Sequence, residues 1–261
     1  MGMDLTVYLE MADGPIYSVV GGTNPYDPVA RDLVSTRFAL DPSNYDGATY
    51  FFEIVGNWNE STSPLATFVV ELRDHLNATV ASIQVARGVD HTQSVRVRST
   101  AFVPVADTYH VYKPAMTSGT RVDIYAARIV VDQVNATKTK IQIPLTCNTT
   151  TTGTTNGEVD STISSSYGQN YPDIFNFYTK HASEFAGDSV AWSFETLHGV
   201  GGGAGGHSLV SLFTSAGSQI ASSEVSTANT NLDPVIQEVS LSNVNFPDGM
   251  TVQVEHKKTA T

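Results

Sequence analysis

A repeat constrains this chain more than any other feature. Residues 48–85 read ATYFFEI, then ATFVVELRD, then ATVASIQV, and the pattern returns later as SVAWSFET, HSLVSLFTS and QIASSEV. Tyr50, Phe52 and Glu53 align with Trp192, Phe194 and Glu195. Val70 and Leu72 align with Val210 and Leu212, and Val80, Ala81, Ser82 and Val85 with Ile220, Ala221, Ser222 and Val225. Self-similarity over this length marks tandem copies of one structural unit, and each copy is long enough to bury a core of its own.

The period of the apolar residues says what that unit is made of. Phe68, Val70 and Leu72 recur at every second position, the signature of a strand with one buried face. Val95 and Val97 alternate with Arg96 and Arg98 in the same way. Strands are expected at residues 4–11, 16–20, 33–40, 48–55, 66–73, 79–85, 93–102, 108–113 and 121–131, with a Gly14-Pro15 turn between the first two. No convincing amphipathic helix is present. About eight short strands between residues 16 and 131 suit an all-β jelly roll, two four-stranded antiparallel sheets face to face. A seven-stranded immunoglobulin-like sandwich is the alternative. The expected organisation is an N-terminal strand in residues 1–13, a first β-sandwich in residues 14–134, and a second in residues 135–261 that lacks its last strand. Phe52, Phe68, Val70, Leu72, Val95 and Val97 are expected in the first core, and Phe194, Val210, Leu212 and Val239 in the second.

Charge narrows the partners. There are 14 Lys and Arg against 26 Asp and Glu, a formal net charge of −12. Such a field repels nucleic acid phosphates and anionic lipid, so neither is expected as a partner. No apolar run approaches the ~18 residues of a membrane-spanning helix. Residues 1–13 carry acids early and have no apolar segment of the signal-peptide kind. Cys147 is the single cysteine, which excludes an intrachain disulfide. A polar surface built from Thr, Ser and Asn suits an extracellular, cell-surface or virion protein.

The candidate sites are few. Hydrolysis needs paired carboxylates in a cleft, and Glu53 and Glu195, which hold one position in both copies, suit either such a site or an outward-facing strand residue that fixes alternation. No nucleophile elbow, zinc-protease helix or phosphate loop occurs, so no catalytic residue is assigned. His198 and His207 flank the glycine-rich residues 199–206, but two ligands make a poor metal site. Asp41, Asn44 and Asp46 offer hard oxygens of the kind a structural calcium takes, although any turn uses the same residues. Calcium is the one candidate cofactor. Asn59, Asn77, Asn135 and Asn148 head N-x-Ser/Thr sequons, candidate glycosylation sites in an exported protein. Trp58, Tyr112 and Tyr178 are candidate platforms for stacking sugar rings, or covers for the sandwich edge. Residues 172–188 and 199–206 depart from the repeat and form the expected distinctive surface of the second unit.

Several motifs recur in a way that carries a resemblance: Tyr50–Glu53, the arm at residues 78–82, the Val-Arg-Val-Arg-Ser strand at residues 95–99 and the closing strand at residues 125–129. The chain resembles tandem-repeat, jelly-roll-like β-sandwich modules of surface, filament and phage structural proteins, and in pattern also carbohydrate-binding modules. The resemblance implies a non-enzymatic structural subunit. The alternatives are a carbohydrate-binding or adhesion module and, behind it, an accessory part of a secreted glycosidase. The expected partners are copies of the chain itself, head to tail, and glycans. Residues 5–12 match residues 122–129, with Tyr8 on Tyr125. This makes Leu5, Val7, Tyr8, Leu9 and Met11 a candidate donor strand for the second unit of a neighbour.

Overall fold

Alternating residues become strand wherever one face can be covered, and the chain supplies that cover twice. The computed structural model describes residues 2–18, 30–60, 67–86, 94–115, 120–143, 145, 168–169, 177–180, 190–199, 206–229, 235–241 and 246–259. The first unit is built on Met1–Gln142, and the second on Ile143–Cys147 and Asp160–Thr261. Both are all-β and antiparallel, and the described residues hold only one short 3-10 turn, Pro42–Asn44. No helix among them is long and apolar enough to cross a membrane.

The first unit contains β1 (Met3–Ser18), β2 (Arg31–Leu40), β3 (Ala48–Glu60), β4 (Thr67–Arg73), β5 (Thr79–Ala86), β6 (Val95–Arg98), β7 (Asp107–Lys113) and β8 (Thr120–Ala136). One sheet has the order β1-β8-β3-β6, the other β2-β7-β4-β5. The chain changes sheet at every connection except the β4–β5 hairpin. Apolar residues of both sheets therefore meet in one cluster. Leu9, Phe52, Ile54 and Ile129 come from the first sheet, and Leu33, Val70, Leu72, Ile83 and Val111 from the second. Before β3 the backbone turns at Gly47, whose φ is 60°. A Cβ there would lie 2.3 Å from the Val134 carbonyl oxygen, so only glycine lets β8 pass this close.

Three expectations are corrected in the first unit. Residues 4–11 and 16–20 are not separate strands but one, β1, with register shifts between Glu10 and Ala12 and between Asp13 and Tyr17. The Gly14-Pro15 signal is absorbed there because β1 is an edge strand, where a missing N–H costs no ladder bond. The same strand corrects the donor reading. Leu5, Val7, Tyr8 and Leu9 pair with Gln133, Val131, Val130 and Ile129 of β8, so the segment completes its own unit. Val7, Leu9 and Met11 are buried in the first core. Val95 is also misjudged: it is 40% exposed. It starts the edge strand β6 opposite Gly56, which offers no side chain to pack on, whereas Val97 opposite Ile54 lies against the core.

The second unit contains β9 (Gly168–Gln169), β10 (Phe177–Thr179), β11 (Ser193–His198), β12 (His207–Thr214), β13 (Val225–Thr227), β14 (Val235–Ser240) and β15 (Thr251–Thr259). One sheet runs β10-β15-β12-β13, with β9 also on β15, and β11 pairs with β14. Phe194, Val210, Leu212, Val225, Val252 and Val254 form its core, with Val239 packed against it. Register repeats along with sequence. Leu72 faces Val111 in the first unit and Leu212 faces Val254 in the second. Glu53 faces Arg98, and Glu195 faces Glu238.

The hairpin arm does not repeat. Val80–Ser82 lie in β5, while the matching Ala221 and Ser222 form a turn with Ser222 at φ 63°. Buried Ser223 takes the place of the missing ladder. Its Oγ accepts from the Leu212 N–H at 3.0 Å and donates to the Ile220 carbonyl at 2.7 Å.

Candidate functional site

Strand alternation fixes where the shared glutamate points. Phe52 and Ile54 face the first core, so Glu53 between them faces outward from the β1-β8-β3-β6 sheet. Its cross-strand neighbours are Arg128 on β8 and Arg98 on β6, and Arg128 in turn faces Glu10 on β1. One row across the sheet thus carries glutamate, arginine, glutamate and arginine, one from each strand. Opposite charges directly across strands attract, and each pair also fixes register.

The bonds close around Glu53. Its Oε1 accepts from Arg128 Nε at 2.6 Å and from Arg96 Nε at 2.8 Å, and its Oε2 accepts from Arg98 Nε at 3.2 Å. Arg128 also reaches Glu10 Oε1 at 3.3 Å, and Arg98 reaches Asp132 at 3.5 Å. Tyr8 and Phe51 lie under the guanidinium groups of Arg128 and Arg98, at 4.4 and 5.3 Å from ring centre to carbon. Glu53 is only 2% exposed although it points outward. Burial pushes its carboxyl up, but the bonds from Arg96, Arg128 and Arg98 outweigh this and hold it below its ordinary value. A general acid needs the opposite shift, and a base needs a free lone pair facing substrate. This carboxylate is a structural anchor. Alternation with Val95 and Val97 predicts a solvent face for Arg96 and Arg98, whereas both side chains bond Glu53. A single sequence does not print that the Val-Arg-Val-Arg strand and the Ala-Ala-Arg-Ile strand flank one glutamate.

The acidic turn is equally committed. Asp41 Oδ1 accepts from the Ser43 N–H at 2.9 Å and so caps the turn at Pro42–Asn44. Asn44 donates its own N–H to the Asp41 carbonyl. Asp46 accepts from the backbone N–H groups of Thr137 and Lys138 and from the Thr137 hydroxyl. These bonds hold both carboxyls below their ordinary values, the Ser43 side chain leading for Asp41 and the Thr137 side chain for Asp46. The Lys138 ammonium donates to the Ser43 carbonyl at 2.8 Å and already brings a cation to the turn. Among the described residues no group of three His, Cys, Asp or Glu is placed to share a metal. What the turn does is tie the segment after β8 to the start of β3. A few residues on, Gln142 binds β1 like a short added strand: its Oε1 accepts from the Glu10 N–H, and its Nε2 donates to the Glu10 carbonyl. That amide covers part of an exposed sheet edge.

The remaining candidates are scattered. Tyr112 has the Arg73 guanidinium 3.3 Å above its ring centre, so one face is taken. Tyr178 packs beside Trp192, which packs on Phe246, all within or against the second core. The Trp58 and Asn59 side chains and Asn148 lie outside the described residues, as do most of residues 172–188 and 199–206. Asn77 and Asn135 are exposed, at φ 64° and 54°. His198 is half-buried with Nδ1 2.8 Å from the Thr196 hydroxyl, and burial pushes it down to about 4. His207 is exposed, with Nδ1 3.4 Å from the Ser226 hydroxyl. Glu195 keeps the outward place of Glu53 but faces Glu238 where Glu53 faces an arginine.

Neither a known family profile nor a curated protein matches the sequence. Among solved structures the chain is similar to the CBM36-1 domain of a multidomain xylanase from the hindgut metagenome of Trinervitermes trinervoides. Identity there is 8%, coverage is 50% of this chain and 98% of that one, and the TM-score is 0.29. It is also similar to dimeric latent PorU from Porphyromonas gingivalis, at 7% identity over 97% of this chain and 21% of that one, with a TM-score of 0.34. Both likenesses are too slight to carry a function.

Proposed function

We propose that the chain is a non-enzymatic structural subunit of an extracellular filament, cell-surface layer or virion, built from tandem jelly-roll-like modules that assemble with copies of the chain through β-strand complementation. The observation that carries this reading is the repeated register: Leu72 on Val111, and Leu212 on Val254. The order β1-β8-β3-β6 over β2-β7-β4-β5 supports the jelly-roll reading, and the second unit repeats several of these pairings. The commitment of Glu53 to three guanidinium groups favours a scaffold over a hydrolase. The cover on Tyr112 and the packing of Tyr178 favour assembly over sugar stacking.

Light scattering and electron microscopy over a range of chain concentration test this. Particles that grow with concentration are expected. A monomer at every concentration that binds a defined sugar on a glycan array would replace this reading with adhesion. Turnover of a polysaccharide, abolished by Glu53→Gln, would replace it with an enzyme.

A further inference from the structure

A buried imidazole of the first unit lies where its sheet is interrupted. β7 runs between β2 and β4. On the β4 side His110 has a ladder partner, Arg73. On the β2 side pairing stops at Leu33 with Val111 and resumes at Phe38 with Tyr109, so residues 34–37 bulge opposite His110. A buried hydroxyl bridges the break. Thr36 Oγ1 accepts from the Val111 N–H at 2.7 Å and donates to the Leu33 carbonyl at 2.7 Å. His110 itself is 4% exposed. Its Nε2 has no hydrogen-bond partner, and Asp32 Oδ1 lies 3.5 Å away.

Protonation puts a hydrogen on both ring nitrogens, so Nε2 becomes a buried donor on a buried charge. Burial is the leading cause that holds this imidazole below its ordinary value. Arg37 in the bulge and Arg73 on β4 also repel the charge, while Asp32 on β2 and Asp74 after β4 attract it. The sheet yields most easily where one strand can leave without moving another. β4 is held by both β7 and β5, whereas β2 stands at the end of the sheet order. We propose that β2 is an acid-released strand: when His110 takes a proton, β2 parts from β7 at the bulge, ahead of the rest of its sheet. Release uncovers the side chains that β2 buries in the first core, Leu33, Phe38 and Leu40. Acid thereby gives the first unit accessible apolar surface, and neutral pH closes it again.

The test follows amide protection and the His110 ring by NMR in the intact chain. Between about pH 6.5 and 4.5, protection along β2 should fall at least about tenfold further than along β5, and recover at neutral pH. Two substitutions at the rim of the bulge should act with opposite signs. Asp32→Asn removes an attraction for the charged ring and should enlarge the fall. Arg37→Gln removes a repulsion and should shrink it. Thr36→Val removes the bridging hydroxyl and should lower β2 protection already at neutral pH. His110→Gln should keep β2 protected down to about pH 4.5. Asp32 is exposed and Arg37 half-buried, so these two decide the matter even where His110→Gln does not fold. Equal loss in β2 and β5, a β2 that stays protected while the His110 ring titrates, or a fall unmoved by both rim variants would overturn the proposal.

Discussion

Glu53 shows how far one side chain's role depends on its neighbours. Its repetition in sequence marked it as special, and period-2 alternation placed it outside the core. Neither could show that Arg128 comes from a strand far along the chain, or that Arg96 and Arg98 curl back over it. Such pairings are set by register, which a single sequence does not print. Replacing Glu53 by Gln keeps the shape but leaves three guanidinium groups around an uncharged amide, and should cost ~3 kcal/mol in urea unfolding. Its carboxyl is held below the ordinary 4.5, so its contribution is present above that pH and lost as pH falls through the lower folded value. The stability difference between Glu53→Gln and the parent should therefore shrink on acidification below about 4.5. A difference that stays constant down to pH 3 would contradict the network. The acidic turn yields a second expectation. The hydrogen bonds of Asp41 and Asp46 account for their carboxylates without a metal, so a chelator should leave the melting temperature where it was. A fall of several degrees on chelation, reversed by calcium, would return the metal to this turn.

At the scale of elements, truncating Leu72 to Ala should cost ~2–5 kcal/mol, because its side chain is fully enclosed between two sheets. Val95→Thr should change stability by no more than about 0.5 kcal/mol, because Val95 is exposed opposite a glycine. Both follow from a period-2 pattern that reads the same in sequence, and only the cross-strand neighbour separates them. That is the general measure of what was legible. Strand positions and the aromatic core strand could be read directly, because alternation is local. The length of β1 could not, because a Gly-Pro turn signal and an edge bulge look alike until the sheet order is known. The second hairpin arm misled for a related reason. Ala221 and Ser222 match β5 residue for residue, but the strand resumes only at Val225, and the Ser223 hydroxyl bridges the break. Ser223→Ala leaves the Leu212 N–H and the Ile220 carbonyl buried without that partner and should cost ~1–3 kcal/mol. Amide exchange at Leu212 should quicken with it. An unchanged Leu212 rate would mean the backbone closes the gap unaided.

At the scale of the whole molecule, the two units share a pairing scheme, and each carries a histidine that burial makes harder to protonate. In the second unit burial pushes His198 down to about 4, with a bond to the Ser208 backbone opposing. A histidine with a lowered folded value binds no proton in the folded state where the unfolded chain already does. Its stabilising effect is present above the ordinary 6.5 and is lost as pH falls from there to about 4. In the first unit two histidines pull in opposite directions. Burial lowers His110, while the bond to Asp107 raises His75. His75 contributes most below 6.5 and loses its contribution as pH rises through its higher folded value, the reverse of His110. Below 6.5 the His75 contribution is already complete, so the loss at His110 is not offset there, and Glu53 adds its own loss below about 4.5. Acidification below about 6.5 should therefore loosen each unit through its own buried imidazole. Amide exchange read at β12 and β15 should quicken between about pH 6.5 and 4. Exchange at β4 and β7, which pair at Arg73 and His110, should quicken below about 6.5 as well. His198→Asn should flatten the first of these changes and leave the second. Loss of protection in both units at one pH, unmoved by His198→Asn, would mean that the buried imidazole does not set the acid limit of the second unit.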